Sequence, residues 1–207
     1  MVRYKKESFL HLPTPLEYLP AISRKLGIEF YIKRDDLTGL GSGGNKLRKL
    51  EHFLYDAKTK GATALITVGG AQTNHGRLTA AVAAKYGMKC TIVAVDEYPG
   101  EVSANILLDR IMGADVLLHK DDGTPIADLV DKVAKNYEKA GEKPYFIPMG
   151  GSNELGALGY YECARELLKQ TENSSVFAAV GSMGTYMGLF CGLYGSSVKL
   201  TGILIGP

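Results

Sequence analysis

Apolar positions along this chain fall into two patterns. Some form short continuous runs, and others recur every three or four residues. The first pattern predicts buried strands and the second amphipathic helices. Strands are expected at Ile28–Lys33, Ala64–Val68, Lys89–Val95, Asp115–Leu118, Tyr145–Pro148, Val176–Val180 and Val198–Ile205. Helices are expected at Lys46–Lys60, Thr73–Tyr86, Val102–Met112, Ile126–Ala140, Leu155–Gln170, and from Thr185 to about Tyr194. Leu47, Leu50, Leu54 and Ala57 share one face of the first helix, and Ile126, Leu129, Val130, Val133 and Tyr137 one face of the fourth. Gly61, Gly87, Gly113 and Gly141 each end a helix. Strand and helix alternating in this way predict a parallel α/β architecture. Ligands of such sheets sit beyond the carboxyl ends of strands, beside helix N-termini. Three turns of this kind are rich in glycine and small polar residues: 39–45, 69–75 and 181–185.

The chain has 207 residues, enough for one large or two small domains. Its 45% hydrophobic and 22% charged residues are ordinary for a soluble globular protein. Net charge is +2 with the signs mixed, so neither a nucleic-acid tail nor a membrane-surface patch is expected. The basic N-terminus, Met1-Val-Arg-Tyr-Lys-Lys, has no apolar signal region after it. No apolar run approaches the ~20 residues a membrane span requires. A cytoplasmic protein is expected. Cys90, Cys163 and Cys191 are far apart and form no Cys-x-x-Cys pair, which predicts free, buried thiols and no metal site. The sequon Asn173-Ser-Ser175 has no consequence without secretion.

The first turn contains the dinucleotide pattern Gly39-x-Gly41-x-x-Gly44. The next strand ends Thr67-Val-Gly-Gly without the acid that would hold a ribose, so nicotinamide binding is not expected. Asn45 stands between Gly44 and Lys46, so this is not a Walker A loop either. Lys46 reads either as a solvated first-turn lysine or as a desolvated amine. Desolvation beside a positive helix end lowers a lysine pKa and makes the amine a better nucleophile. Four glycines within the six residues before Asn45 are expected to leave room for a cofactor ring against it.

In the second turn, Thr73 or Asn74 can cap a helix, and the run Gln72-Thr-Asn-His75 also suits a carboxylate. His75 reads equally well as a structural residue; His11, His52 and His119 read as structural. In the third turn, Gly181, Ser182, Met183, Gly184 and Thr185 read as a phosphate nest or as an ordinary tight turn. A phosphate nest, an activated lysine and a carboxylate cradle together describe pyridoxal 5'-phosphate, held on Lys46 as a Schiff base, and an amino acid substrate.

The run Tyr31-Ile-Lys-Arg-Asp-Asp-Leu-Thr-Gly-Leu-Gly-Ser-Gly-Gly-Asn-Lys-Leu-Arg-Lys-Leu-Glu51 resembles the D-cysteine desulfhydrase and 1-aminocyclopropane-1-carboxylate deaminase family. Pro148-Met-Gly-Gly-Ser-Asn-Glu-Leu-Gly-Ala-Leu-Gly-Tyr160 and Val180-Gly-Ser-Met-Gly-Thr-Tyr-Met-Gly-Leu189 are similar to it in the same order. The resemblance implies a tryptophan synthase β-like (fold type II) α/β protein with two open parallel sheets. Residues 49–158 would form the small domain, and 1–48 with 159–207 a large cofactor domain lacking its C-terminal part. Lys46 would carry the cofactor beside Asn45. Asn74 would reach the cofactor's 3'-oxygen, and residues 181–185 its phosphate. Gln72, Thr73, Asn74 and His75 would hold the substrate carboxylate; family members have serine where Thr73 stands. The implied reaction is α,β-elimination of D-cysteine to pyruvate, ammonia and sulfide. Freed Lys46 would remove the α-proton. Deamination of 1-aminocyclopropane-1-carboxylate and a non-catalytic pyridoxal phosphate-binding domain are the alternatives. Partners implied are a small amino acid and a second copy in a homodimer, with neither nucleic acid nor membrane. The absent part would supply the pyridine nitrogen's partner, further strands and substrate-facing tyrosines.

Overall fold

A computed structural model describes residues 4–96, 102–172 and 174–205. Met1–Arg3, Asn173 of the sequon and the C-terminal Gly206-Pro207 lie outside the described residues. The chain begins with a short antiparallel pair, β1 (Leu16–Tyr18) and β2 (Tyr31–Lys33), joined through α1 (Pro20–Leu26). Pro20 opens α1 and Gly27, at φ 67°, closes it, a helix bounded by proline at its start and glycine past its end. The strand expected over Ile28–Lys33 is shorter, Tyr31–Lys33, and the apolar pattern shows neither β1 nor α1. A three-residue strand carries too few positions for a period to register.

Next come α2 (Lys46–Thr59), β3 (Ala64–Gly69), α3 (Asn74–Lys85), β4 (Lys89–Asp96), α4 (Ala104–Ile111), β5 (Asp115–Lys120), α5 (Ile126–Lys139) and β6 (Pro144–Ile147). These strands form an all-parallel sheet in the order β5-β4-β3-β6. Every residue of β3 is buried, as its central position requires. Alternation sorts the strand side chains into two layers. Leu65, Cys90, Ile92 and Ala94 pack with Leu47, Leu50, Phe53 and Leu54 of α2 and Leu78 and Val82 of α3. Ile66, Val68 and Val93 face Leu129 and Val130 of α5 on the other side. The sheet is therefore sandwiched between helices.

After β6 come α6 (Glu154–Leu167), β7 (Ser175–Val180), α7 (Gly184–Leu193) and β8 (Lys199–Leu204). β7 and β8 pair in parallel, and Tyr160, Cys163, Ala164, Leu189, Leu193 and Val198 form a second core. Helices α2 and α6 cross closely. A Cβ on Gly159 would lie 2.3 Å from the Arg48 carbonyl oxygen. The crossing is bound by a network around the buried Arg48 guanidinium. It donates to both carboxylate oxygens of Asp35, at 2.8 and 2.9 Å, and to both of Glu166, at 3.1 Å each. Tyr160 Oη donates to Asp35 at 2.6 Å. Burial alone would raise the Asp35 pKa, but the Arg48 guanidinium holds it below the ordinary value.

Candidate active site

The glycine loop before α2 is shaped by the protein's own packing rather than by space for a ligand. Gly39, Gly41, Gly43 and Gly44 all have φ between 56° and 144°. A Cβ on Gly43 would lie 1.8 Å from the Asp36 carbonyl oxygen, and one on Gly41 2.6 Å from Ala81 Cβ. Arg77 of α3 donates to the Gly41 and Gly43 carbonyls. The expectation that these glycines make room for a cofactor ring is therefore corrected: residues 36, 78 and 81 fill that room.

Lys46 stands at the start of α2, where its amine donates to Asn45 Oδ1 at 3.1 Å; Asn45 Nδ2 lies 3.4 Å from Thr185 Oγ1. Asn45 thus joins the lysine to the first turn of α7. Burial lowers the Lys46 pKa. One helical turn on, Lys49 is fully buried and donates to the Gly150 carbonyl at 3.0 Å. Burial and then the charge of Lys46 bring Lys49 down to about 7. The sequence motif does not single out Lys49, although its spacing from Lys46 puts both on one helix face.

The turn after β6 closes this pocket. Gly150 and Gly151 have φ of 62° and 58°. A Cβ on Gly150 would lie 2.5 Å from Ser182 Oγ and 3.7 Å from Lys46 Cε. Ser152 Oγ donates to Ser182 Oγ at 2.7 Å, tying this turn to residues 181–185. On the α7 side, a Cβ on Gly184 would lie 2.6 Å from Ser152 Oγ and 3.0 Å from Lys49 Nζ. Met183 adopts φ 60° just before the helix. The Gly184 N–H turns back to the Ser182 carbonyl at 2.8 Å, while helix geometry leaves the following first-turn amides without intrahelical partners.

The second turn enters from α3. Thr73 caps that helix, accepting from the Gly76 N–H at 3.3 Å. Gln72 is engaged with the start of α4: it accepts from the Asn105 N–H at 2.9 Å and donates to the Ser103 carbonyl at 3.3 Å. Asn74 is exposed and accepts from Asn105 Nδ2 at 3.1 Å. His75 points inward and is 3% exposed. Burial, then Lys46 and Lys49, press its pKa down to about 3, with only the Pro148 carbonyl acting the other way. Neither of its ring nitrogens makes a hydrogen bond of ordinary geometry. His75 is therefore a neutral imidazole beside two amines.

The donor set fits pyridoxal phosphate. It offers a partly buried amine for the aldehyde and a second, fully buried amine beside a helix N-terminus for the phosphate. Gly150, Gly151 and Gly184 leave the wall without side chains, and the His75 nitrogens are orphaned polar atoms. Among the thiols, Cys90 and Cys163 are buried and unpaired, whereas Cys191 is exposed, contrary to the expectation of burial. The α7 pattern explains this: Gly188 and Gly192 face α6 and Leu189 and Leu193 are buried, which turns position 191 outward.

A family described as pyridoxal-phosphate dependent enzyme matches residues 8–205. A D-cysteine desulfhydrase of Klebsiella pneumoniae is 48% identical over 204 residues, covering 93% of this chain and 61% of the relative. A Pyrococcus horikoshii protein provisionally named as a 1-aminocyclopropane-1-carboxylate deaminase is 39% identical over 211 residues, covering 100% of this chain and 64% of the relative. A crystal structure of a homologue of the latter enzyme superposes with a TM-score of 0.90 at 40% identity, covering 99% of this chain and 64% of that one. The chain thus spans a little under two thirds of the length of these relatives.

Proposed function

The chain belongs to the family of pyridoxal-phosphate dependent enzymes, and we propose on that premise that it supplies the cofactor site of a lyase eliminating sulfide from D-cysteine. The products are pyruvate, ammonia and sulfide, with water consumed. The observation that carries the reading is that Lys46 and Lys49 both lie against the 149–152 turn: Lys46 Cε is 3.7 Å from where a Gly150 Cβ would stand, the Lys49 amine donates to the Gly150 carbonyl at 3.0 Å, and Ser152 ties that turn to Ser182.

Bound pyridoxal phosphate supplies an electron sink for the charge that develops at the substrate α-carbon. Lys46 holds the cofactor through its amine. With the cofactor bound, the neutral Lys46 amine would take the substrate's α-proton, a role its lowered pKa favours. Lys49, Ser182, Gly184 and Thr185 bind the phosphate, together with the flanking backbone of Gly181 and Met183. Asn45 orients the Lys46 amine. Asn74 donates to the cofactor's ring oxygen. The backbone of residues 73–75 and the Thr73 hydroxyl meet the substrate carboxylate, while Gln72 fixes that turn from behind. Residues 49–158 form the small domain in this reading, and the flanks contribute to the large one. These boundaries fall inside α2 and α6, the two helices that cross at Gly159. A homodimer is part of the reading by resemblance, and sedimentation tests it. A cytoplasmic setting is supported by the unpaired Cys90 and Cys163; among the described residues no helix is long and apolar enough to cross a membrane.

The test is direct. Pyridoxal phosphate is added to the purified chain, reduced with borohydride and mapped by mass spectrometry. The adduct is expected on Lys46 and absent from Lys46→Ala. An adduct distributed over surface lysines would overturn the reading. D-cysteine should then release sulfide. Release of 2-oxobutyrate from 1-aminocyclopropane-1-carboxylate would favour the second reading, which the 39% identical relative supports. Silence with both substrates would favour a chain that binds the cofactor without turnover.

A further inference from the structure

Helix α4 lies outside the cluster just described, yet its first turn holds the Gln72–His75 turn by several hydrogen bonds. Asn105 donates from its backbone N–H to Gln72 Oε1 at 2.9 Å. Its side-chain Nδ2 donates to the Gln72 carbonyl at 2.8 Å and to Asn74 Oδ1 at 3.1 Å. Gln72 Nε2 returns a bond to the Ser103 carbonyl. Ala104, a residue with a side chain, sits at φ 44° between them, a conformation that persists only where surrounding contacts impose it.

The orientation of each amide is dictated by a backbone group. A carbonyl can only accept, so the atom of Asn105 facing the Gln72 carbonyl must be its NH2. That same NH2 faces Asn74, so Asn74 must present its oxygen. Arg77, which has only donors, approaches the same oxygen at 3.5 Å. The Asn74 NH2 is thereby left pointing away from α4 as a donor. Asp96 at the end of β4 holds the preceding residue in the same way, its Oδ2 accepting from the Ala71 N–H at 3.2 Å.

We propose that Asn105 is a positioning residue that sets the amide orientation of Asn74, so that Asn74 offers an N–H donor to the cofactor's ring oxygen. The inference rests on the functional reading above for the identity of the acceptor, but not for the orientation itself. Asn105→Asp replaces the amide with two acceptors of the same shape, which would repel both the Gln72 carbonyl and the Asn74 oxygen. Asn105→Ala removes the contact altogether.

Two measurements test this. In the full chain without cofactor, the side-chain amide 15N–1H signal of Asn74 should shift in Asn105→Asp and in Asn105→Ala, while the melting temperature moves little. In the pyridoxal phosphate-loaded chain, the pH at which the visible absorbance switches form should rise by about one unit in both variants, since an oxygen deprived of its donor keeps a neighbouring proton more tightly. An unchanged Asn74 signal in both variants overturns the orientation claim. An unmoved absorbance titration overturns the link to the cofactor. Failure of the unsubstituted chain to load would instead sink the functional reading, and the amide spectrum alone would then decide the role of Asn105.

Discussion

Lys49 lies wholly inside the protein and shares its neighbourhood with Lys46, so its charge is unfavourable there for two reasons, burial first and Lys46 second. Its pKa is about 7 in the folded chain and ordinary in the unfolded chain, near 10.4. Between those values the unfolded state holds more protons, so stability rises with pH across that window and levels off above it. Below about 7 both states are protonated and the cost of burying the charge is fully present. The apo chain should therefore melt at higher temperature at pH 9 than at pH 7. Lys49→Met, of similar length and without charge, should flatten that rise, an effect on the order of 3 kcal/mol. Parallel pH profiles for the two proteins would refute this account of Lys49. His75 was open between a ligand and a structural role in the sequence. The structure gives it a buried, neutral ring beside the two amines, a placement that no local pattern encodes.

At the scale of elements, the site depends on α6 approaching α2 at Gly159 and α7 at Gly188, where glycine leaves no side chain in the way. A Cβ on Gly188 would lie 2.3 Å from the Ala157 carbonyl oxygen and 2.6 Å from Tyr160 Cβ. Gly188→Ala must push α7 away from α6, at a cost of roughly 1–3 kcal/mol in denaturant unfolding. The same displacement separates Ser152 from Ser182 at the helix starts, so pyridoxal phosphate affinity should fall as well. Unchanged affinity in a destabilised variant would show that the phosphate turn is independent of the crossing. The alternation of strands and helices was readable because each element is amphipathic on its own period. β1 and α1 were not, because β1 pairs across α1 with β2 and is too short to carry a pattern.

For the whole molecule, a ligand that binds only the folded state stabilises it by mass action. Pyridoxal phosphate at about 100 times its dissociation constant should add roughly 2.7 kcal/mol, seen as a concentration-dependent rise in melting temperature. Lys46→Ala should reduce that rise, and so should Lys49→Met. An equal rise in both variants would place the ligand elsewhere. Phe177 of β7 and Ile203 and Leu204 of β8 are 67%, 50% and 78% exposed, in a chain that spans 61–64% of its relatives.

The sequence by itself determined the class of fold, the order of its main elements, and which three glycine-rich turns and which lysine to propose as the site. Each of these follows from local periodicity, from glycine and small polar residues at strand ends, or from a contiguous motif. Only the tertiary structure decided what packs against the glycines before Lys46, which atom of Asn74 meets Asn105, and that Lys49 lies beside Lys46 and Gly150. Those facts depend on chain segments far apart in sequence: Asp36 and Ala81 against the glycine loop, Asn105 against Asn74, and Gly150 against Lys49. A contact between distant segments leaves no period in either of them, so it exists only once the chain has packed.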